Sequence, residues 1–260
     1  PIICVVGARP NFMKMAAVLP ALTAPPDPLP VILLHTGQHY DAAMKTTFFE
    51  QLGIPEPDVD LEVGSASHAV QTAEIMRRFE PVVDRVNPRA IIVVGDVNST
   101  IACALTAVKK GVPTLHVEAG LRSFDREMPE EINRVLTDQL SEMLFLTERS
   151  ATENLKREGI EEGRIHFVGN VMIDTLLRLA PQAPKPEVTI RRLTADAPFK
   201  IDDGFGLLTM HRPSNVDDPK ILRGLLSCLA EISQELPLIF PVHPRTKARM
   251  EAANLFSLLD

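Results

Sequence analysis

Residues 90–100 read AIIVVGDVNST, and this stretch predicts the fold of the chain. Five consecutive apolar residues bounded by turn residues are typical of a strand that is buried on both faces. Gly95 and Asp96 then provide a turn, and Asn98 or Ser99 can cap a following helix. A buried strand that passes through a turn into a helix is the repeating unit of a parallel sheet covered by helices.

The same alternation continues on both sides of this stretch. Apolar residues spaced three and four apart predict helices at 69–86 and 101–109. The predicted strands are residues 2–6, 31–34, 90–94, 114–117, 144–147 and 165–168. The predicted fold class is therefore α/β with a doubly wound parallel sheet, and ligands of such sheets bind beyond the carboxyl ends of the strands.

The alternation fails between residues 179 and 200, where four prolines interrupt any helical or strand period. We interpret this stretch as a connector that can include a short helix. The pattern resumes with apolar runs at 206–210 and 238–242 around a predicted helix at 219–235, which are too few strands for a complete sheet. We expect a Rossmann-like domain at residues 1–179 and a second Rossmann-like, nucleotide-binding domain at 180–260 that is incomplete, as in a truncated chain.

Composition excludes several classes of function. The chain of 260 residues is 45% hydrophobic, enough for a buried core, and its formal charge of −7 argues against nucleic-acid binding. No apolar run approaches the roughly 20 residues that cross a bilayer, so we expect no membrane partner. The cysteines, Cys4, Cys103 and Cys228, lie far apart in apolar surroundings and predict buried reduced thiols in a cytoplasmic protein.

The turn after the first predicted strand contains candidate anion ligands. Gly7 leads into a helical pattern, and Arg9 and Lys14 add two positive charges near the helix N-terminus. Backbone amides at such a turn are typical ligands of a diphosphate. The alternative is an ordinary β-α turn whose charges are solvated. The glycine patterns of dinucleotide-binding and P-loop proteins are absent.

Carboxylates follow the next strands of the predicted sheet. Asp96 leaves an apolar strand and is expected to be partly desolvated, a setting suited to proton transfer; its other role would be to stabilise the turn. His116 and Glu118 are two residues apart in a strand, so we expect both to point to the same face. They predict a proton-handling or substrate-binding pair rather than a metal site, although a structural His-Glu hydrogen bond is the alternative.

Glu130 and Glu131 follow Pro129 in the first turn of a predicted helix, where acidic residues also complement the helix dipole. With a conventional strand order, Asp96, Glu118 and Glu130 would converge beyond the sheet. In the second predicted domain, two His-Arg pairs follow the two apolar runs and predict contacts to an anion. These pairs are His211 with Arg212 and His243 with Arg245.

These motifs together resemble the non-hydrolysing UDP-N-acetylglucosamine 2-epimerases. The resemblance spans nearly the whole chain and is most specific in HVEAGLR at 116–122 and PEEINR at 129–134. Its other parts are GARP at 7–10 with Lys14, HTGQH at 35–39, Gly95-Asp96, Gly169-Asn170 with Asp174, and His211-Arg212. The resemblance implies a fold like that of B-type glycosyltransferases, with the nucleotide sugar in a cleft between two Rossmann-like halves.

The resemblance also implies a reaction, the interconversion of UDP-N-acetylglucosamine and UDP-N-acetylmannosamine. A base removes the C2 proton, UDP leaves C1 to give a glycal, and UDP adds back after reprotonation on the other face. By this resemblance Asp96, Glu118, Glu130 and His211 are catalytic, with base and acid unassigned. The implied substrate-binding residues are Arg9, Lys14, His116, Arg134, Arg212 and His243.

The resemblance implies further properties of this protein. No metal or other cofactor is expected, UDP-N-acetylglucosamine and UDP are the expected ligands, and a homodimer is expected although the residues do not fix the oligomeric state. Gln38 and His39 match an allosteric loop, but Asp41 stands where some members have glutamine, which argues against regulation by substrate. Two later nucleotide-binding motifs of the family fall beyond residue 260.

Three rival functions share the same sequence features. A UDP-sugar-dependent glycosyltransferase of the same fold would transfer the sugar without inverting C2. A catalytically silent nucleotide-sugar-binding fragment would bind UDP without turnover. A hydrolysing epimerase would release free N-acetylmannosamine.

Overall fold

The computed structural model describes residues 1–37, 49–193 and 204–259. The chain divides into two units, Pro1–Gln182 and Ala183–Asp260, and each is described by itself. The alternation of strands and helices predicted from the sequence is present in both units, and the predicted α/β class is confirmed.

The first unit contains a parallel sheet of seven strands. Their order across the sheet is β3-β2-β1-β4-β5-β6-β7. The strands are β1 (Ile2–Val6), β2 (Val31–His35), β3 (Val59–Asp60), β4 (Ala90–Val94), β5 (Thr114–Ala119), β6 (Met143–Leu146) and β7 (Ile165–Phe167). Six of these were predicted; β3 was missed because two residues carry no detectable period.

Helices follow most of these strands. They are α1 (Arg9–Thr23), α2 (His68–Val86), α3 (Asn98–Lys109), α4 (Pro129–Leu140), α5 (Ser150–Arg157) and α6 (Val171–Leu179). Because successive residues of a strand point to opposite faces, β1 and β4 serve two cores. Ile3 and Ile91 pack on the side of α2 and α3, whereas Cys4 and Ile92 pack on the side of α1.

The strand order defines where a ligand can bind. From the neighbouring strands β1 and β4 the chain proceeds outward in opposite directions, which makes their carboxyl ends the switch point of the sheet. Gly7 follows β1 and Gly95 follows β4. The turns that begin at these two glycines therefore flank the crevice in which doubly wound proteins hold their ligands.

Residues 183–193 and 204–259, the described part of the second unit, contain two short parallel strands and four α-helices. The strands are β8 (Gly206–Leu207) and β9 (Leu238–Ile239), both shorter than the predicted runs. The helices are α7 (Pro186–Leu193), α8 (Pro213–Val216), α9 (Pro219–Ser233) and α10 (Pro244–Ala252). Leu222 and Leu226 of α9 form a buried cluster with Met250 of α10.

The cysteines divide between core and surface. Cys4 and Cys103 are buried as predicted, and burial raises the pKa of Cys4 to about 12. Cys228 is exposed, so the prediction of three buried thiols is wrong. The buried face of α9 runs through Leu222 and Leu226, and Cys228 lies two residues past Leu226, off that face. No helix in the described ranges is both long and apolar enough to span a membrane.

Thr114, at the start of β5, places a polar group in the core that lowers its stability. Its hydroxyl is fully buried and has no hydrogen-bond partner within the described residues. We predict that Thr114→Val raises the free energy of unfolding by about 1 kcal/mol, because a buried polar group without a partner is replaced by a methyl group. Urea denaturation would measure the change, and a loss of stability would contradict the prediction.

Candidate active site

The turn after β1 is closed by Asn11. The backbone N–H groups of Gly7 and Ala8 both donate to Asn11 Oδ1, each at 3.0 Å. The Asn11 carboxamide in turn donates to the carbonyl oxygen of Val94, at 2.9 Å, and so joins the ends of β1 and β4. The Gly7 and Ala8 amides are therefore satisfied by a side chain of the protein and not by an anion.

Lys14 and Glu118 form a buried ion pair beside Gly95. The side chains are 7% and 16% exposed, and the Lys14 ammonium donates to Glu118 Oε2. A Cβ atom at Gly95 would lie 2.8 Å from Lys14 Nζ and 3.3 Å from Glu118 Oε2. The lysine predicted to meet a diphosphate therefore binds a carboxylate of the protein, and both groups lie against the turn that begins at Gly95.

Glu118 occupies an irregular point of β5. Its φ is +70°, in the left-handed region, and the pairing of β5 with β6 shifts register between Val117 and Ala119. A left-handed conformation costs about 1–2 kcal/mol in a non-glycine residue and is typical of functional sites. The bulge also breaks the alternation of side chains. Glu118 contacts Lys14 of α1 and His116 contacts Asp138 of α4, so the expectation that they share a face is wrong.

His116 lies entirely inside the protein. Its Nδ1 is 2.7 Å from Asp138 Oδ1, and its Nε2 is 2.8 Å from the carbonyl oxygen of Gly95. Asp138 Oδ2 also accepts the Gly120 N–H at 3.1 Å and lies 2.8 Å from Arg122 Nη2. His116 and Asp138 are both fully buried. The imidazole expected to contact substrate thus connects the turn after β4 to the segment after β5.

Two charged residues shape the segment between β5 and α4. Arg122 is almost fully buried and makes two hydrogen bonds to Glu158, at 2.7 and 2.6 Å. Glu131 accepts hydrogen bonds from the N–H groups of Ser123 and Phe124, both at 3.0 Å. Burial alone would raise the pKa of Glu131, but these hydrogen bonds, the Ser123 hydroxyl and Arg134 hold it below its ordinary value.

Helix α4 is attached to the turn after β4. Asn133 donates to the carbonyl oxygen of Asp96 at 2.9 Å, and Arg134 forms an ion pair with the Asp96 carboxylate. Glu130 is three and four residues before them and so shares their face of the helix. Its half-buried carboxylate has no hydrogen-bond or ion-pair partner within the described residues. The structure thus brings Asp96, Glu118 and Glu130 to one edge of the sheet.

Several residues of this edge escaped the sequence analysis. Asn98 hydrogen-bonds to Gln71 at 2.8 Å and lies 3.1 Å from His68 Nδ1, at the N-terminus of α2. His68 is exposed at the rim, as is Arg9 at the first position of α1. Asn11 and Asp138 were missed as well. Asn11 had a local signal, since it lies in the GARPN turn, and Asn98 was predicted only as a helix cap, a role that its side chain does not take.

The second unit brings its two histidines together. The rings of His211 and His243 stack with centroids 5.2 Å apart, beyond the ends of β8 and β9. His243 Nδ1 accepts the N–H of Arg245 at 3.2 Å at the start of α10. Arg245 pairs with Asp217, whereas the exposed Arg212 has no side-chain partner in the part of this unit that the structure describes.

The allosteric loop and the metal site are the two remaining expectations. Gln38 and His39, the candidate allosteric residues, lie outside the described residues. Residues 1–37, 49–193 and 204–259 contain no group of three histidine, cysteine or acidic side chains that could hold a metal ion.

Comparison with known proteins identifies the family. A family model described as UDP-N-acetylglucosamine 2-epimerase matches residues 24–258. The chain is 43% identical to the UDP-2,3-diacetamido-2,3-dideoxy-D-glucuronate 2-epimerase of Pseudomonas aeruginosa, over 98% of this chain and 70% of that protein. It is 42% identical to a UDP-N-acetylglucosamine 2-epimerase of Methanocaldococcus jannaschii, over 98% of this chain and 69% of that protein.

Solved structures agree with this assignment. The crystal structure of a Methanocaldococcus jannaschii UDP-GlcNAc 2-epimerase in complex with UDP-GlcNAc and UDP matches with a TM-score of 0.83 and 39% identity. The match covers 98% of this chain and 69% of that one. The chain belongs to the UDP-N-acetylglucosamine 2-epimerase family. The resemblance found in its motifs is confirmed. The expected likeness to the B-type glycosyltransferase fold is confirmed too, since a lipopolysaccharide outer core galactosyltransferase that is 12% identical matches with a TM-score of 0.51 over 97% of this chain and 71% of that one.

The contacts around Gly95 predict a large effect of one methyl group. Gly95→Ala should lower the free energy of unfolding by more than the roughly 1–2 kcal/mol of a left-handed alanine, because the new Cβ also displaces Lys14. Gly159→Ala is the matched control, since Gly159 has φ +81° and nothing within 4 Å of its Cβ position. Equal losses in urea denaturation would show that Lys14 is not pressed against Gly95.

Glu131 should make the stability depend on pH. Because its pKa is lowered in the folded state, its contribution is present above the unfolded pKa of about 4.3 and is lost as the pH falls through the folded value. Glu131→Gln should cost about 2 kcal/mol at neutral pH. That difference from wild type should shrink below about pH 4. Thermal unfolding across this range would test it. Glu127→Gln, on the exposed segment, should change stability by less than about 0.5 kcal/mol.

Proposed function

We propose that this chain interconverts UDP-N-acetylglucosamine and UDP-N-acetylmannosamine by elimination and re-addition of UDP. The observation that carries the proposal is that Asp96 and Glu118 follow or end strands beside the switch point of the sheet, with Glu130 on the face of α4 that contacts Asp96, in a member of this epimerase family. An enzyme that inverts C2 through proton transfer needs a general acid or base near each face of the sugar ring, and carboxylates are among the groups that can serve.

The reaction proceeds through an unsaturated sugar. A carboxylate takes the C2 proton, the electrons of the C2–H bond form the C1–C2 double bond, and the C1–O bond breaks with its electron pair on the UDP oxygen. A proton is then delivered to C2 from the opposite face, and the UDP oxygen attacks C1. Atoms and charge balance without an external oxidant or reductant, so the scheme requires no cofactor.

The three carboxylates differ in whether another side chain of the protein already pairs with them. Asp96 and Glu118 are engaged by Arg134 and Lys14, whereas Glu130 has no partner among the described residues. We assign Glu130 to direct contact with the sugar and keep Asp96 and Glu118 as its partners in proton transfer. Arg134 and Lys14 would position these two carboxylates, in addition to the substrate-binding role expected from the resemblance.

Positive groups are required where the diphosphate leaves. We assign this role to Arg9 at the start of α1 and to His211, Arg212 and His243 in the second unit. The stacked histidines and the exposed Arg212 present hydrogen-bond donors suited to phosphate oxygens. Such donors stabilise the negative charge that develops on the departing UDP.

The organisation of the protein is proposed on the same grounds. Residues 1–179 would form the domain that holds the sugar, and 180–260 would form part of the nucleotide-binding domain. The buried thiols of Cys4 and Cys103 support a reducing, cytoplasmic location. A homodimer, with UDP-N-acetylglucosamine and UDP as ligands and no nucleic-acid or membrane partner, completes the proposal.

Exchange with solvent provides the test. Turnover of UDP-N-acetylglucosamine in deuterium oxide should place deuterium at C2 of both sugars, because the proton passes through the protein and the solvent. Glu118→Gln should slow this exchange by about 100-fold or more, since a carboxamide cannot accept the proton. Proton NMR of the recovered sugar nucleotides measures both quantities.

The control makes the same chemical change at the opposite edge of the sheet. Glu142 is exposed and directly precedes β6, so Glu142→Gln should leave the exchange rate unchanged. Turnover of wild type without deuterium at C2 would reject the elimination mechanism. Sugar transfer to an acceptor or release of free N-acetylmannosamine would instead favour the rival functions.

A second substrate is favoured by one comparison. The Pseudomonas aeruginosa relative, whose name gives UDP-2,3-diacetamido-2,3-dideoxy-D-glucuronate as its substrate, is as similar to this chain as the Methanocaldococcus jannaschii epimerase. Both substrates present the same C2 proton and the same leaving UDP. Values of kcat/KM for the two sugars, measured side by side, would decide between them; a higher value for the uronate would replace our first choice.

A further inference from the structure

Each ring nitrogen of the His116 imidazole lies within hydrogen-bond distance of an oxygen atom that can accept a hydrogen bond. Nε2 lies 2.8 Å from the carbonyl oxygen of Gly95, which has no proton to donate, so Nε2 must carry one. Nδ1 lies 2.7 Å from Asp138 Oδ1. The state of His116 therefore depends on whether the Asp138 carboxyl group is charged.

The remaining contacts of Asp138 indicate that it is a carboxylate. Its Oδ2 accepts the N–H of Gly120 at 3.1 Å and lies 2.8 Å from the guanidinium of Arg122. These donors favour the charged form, and a carboxylate is an acceptor only. The proton between Asp138 and His116 must then belong to Nδ1, so that both ring nitrogens are protonated.

The charges of the surrounding cluster support the same state. The groups that face His116, directly or through Asp138, are Asp138 on α4, Arg122 on the following segment and Glu158 after α5. Glu118 of the same strand instead faces Lys14. With a charged imidazole the cluster holds two positive and two negative groups, whereas a neutral imidazole would leave two negative groups around one positive group.

We propose that Asp138 holds His116 as an imidazolium, and that this imidazolium is a positioning residue for the epimerisation. It fixes the carbonyl group of Gly95, the residue before Asp96, while Asp138 fixes the N–H of Gly120, two residues after Glu118. The buried pair of His116 and Asp138 thereby fixes the backbone near Asp96 and near Glu118. The positioning role rests on the proposed function, whereas the protonation state does not.

The first experiment reads the protonation state directly. Protein labelled with ¹⁵N-histidine is examined by NMR at about pH 8, where an ordinary histidine with a pKa near 6.5 is neutral. The His116 resonances are assigned by their loss in His116→Gln. We expect both ring nitrogens to show directly bonded protons. In Asp138→Asn, which removes the negative charge, one ring nitrogen should lose its proton.

The second experiment measures the positioning role. A glutamine carboxamide has one donor end and one acceptor end and cannot donate to both Asp138 and Gly95. His116→Gln should therefore lower kcat by about 100-fold, the effect of misplacing reacting groups by about 1 Å. KM should stay within about threefold of wild type, because His116 is buried and does not touch the substrate.

Thr114→Val is the matched control, since Thr114 is buried two residues earlier on the same face of β5 and its hydroxyl has no hydrogen-bond partner in the described chain. It should leave kcat and the His116 resonances unchanged. An unprotonated ring nitrogen in wild type would overturn the imidazolium, and wild-type kcat in His116→Gln would overturn the positioning role. If both substitutions at 116 and 138 prevent folding, the His116 ring resonances are assigned in wild type through the backbone by triple-resonance NMR, and the wild-type spectrum still decides the protonation state. An inactive wild type would refute the proposed function and leave that spectrum as the test.

Discussion

The short turn of Gly95 and Asp96 is the structural constraint on which the candidate site depends. Its backbone groups are hydrogen-bonded on several sides: the Gly95 N–H donates to Val117 O, the Gly95 carbonyl accepts from His116, and the Asp96 carbonyl accepts from Asn133. Buried backbone groups without partners are costly, so each of these bonds restricts where the chain can run. The backbone position of Asp96 and the ion pair with Arg134 together orient the Asp96 carboxylate.

Close packing at the Gly95 turn determines where the charged groups of Lys14 and Glu118 lie. Because residue 95 has no side chain, Lys14 and Glu118 approach the backbone and pair with each other there. The left-handed conformation of Glu118 brings its carboxylate to the side of α1. Strain of this kind persists only where surrounding contacts hold it, and the Lys14 ion pair and the anchored Gly120 supply those contacts.

Two kinds of charged residue occupy this edge of the sheet. Asp138, Arg122 and Glu131 are buried, satisfied within the protein, and determine the path of the segment between β5 and α4. Glu130 and Arg9 lie nearer the solvent at the same edge. The buried group supplies rigidity, and in the proposed function the accessible group contacts the ligand. The neighbouring glutamates Glu130 and Glu131 differ in this way, since Glu131 is buried and hydrogen-bonded whereas Glu130 is half-buried.

Sequence alone determined the α/β class, six strands of the main sheet, the family and the acidic residues at the strand ends. These properties follow from the spacing of apolar residues along the chain and from short motifs of neighbouring residues. Only the tertiary structure decided the partners of those residues. Asn11 closing the Gly7 turn, Lys14 binding Glu118, and His116 meeting Asp138 join residues that are brought together by the strand order and by a bulge at Glu118. A hydrogen bond between residues 104 positions apart leaves no periodic trace in the sequence, because its geometry is set by packing and not by local conformation.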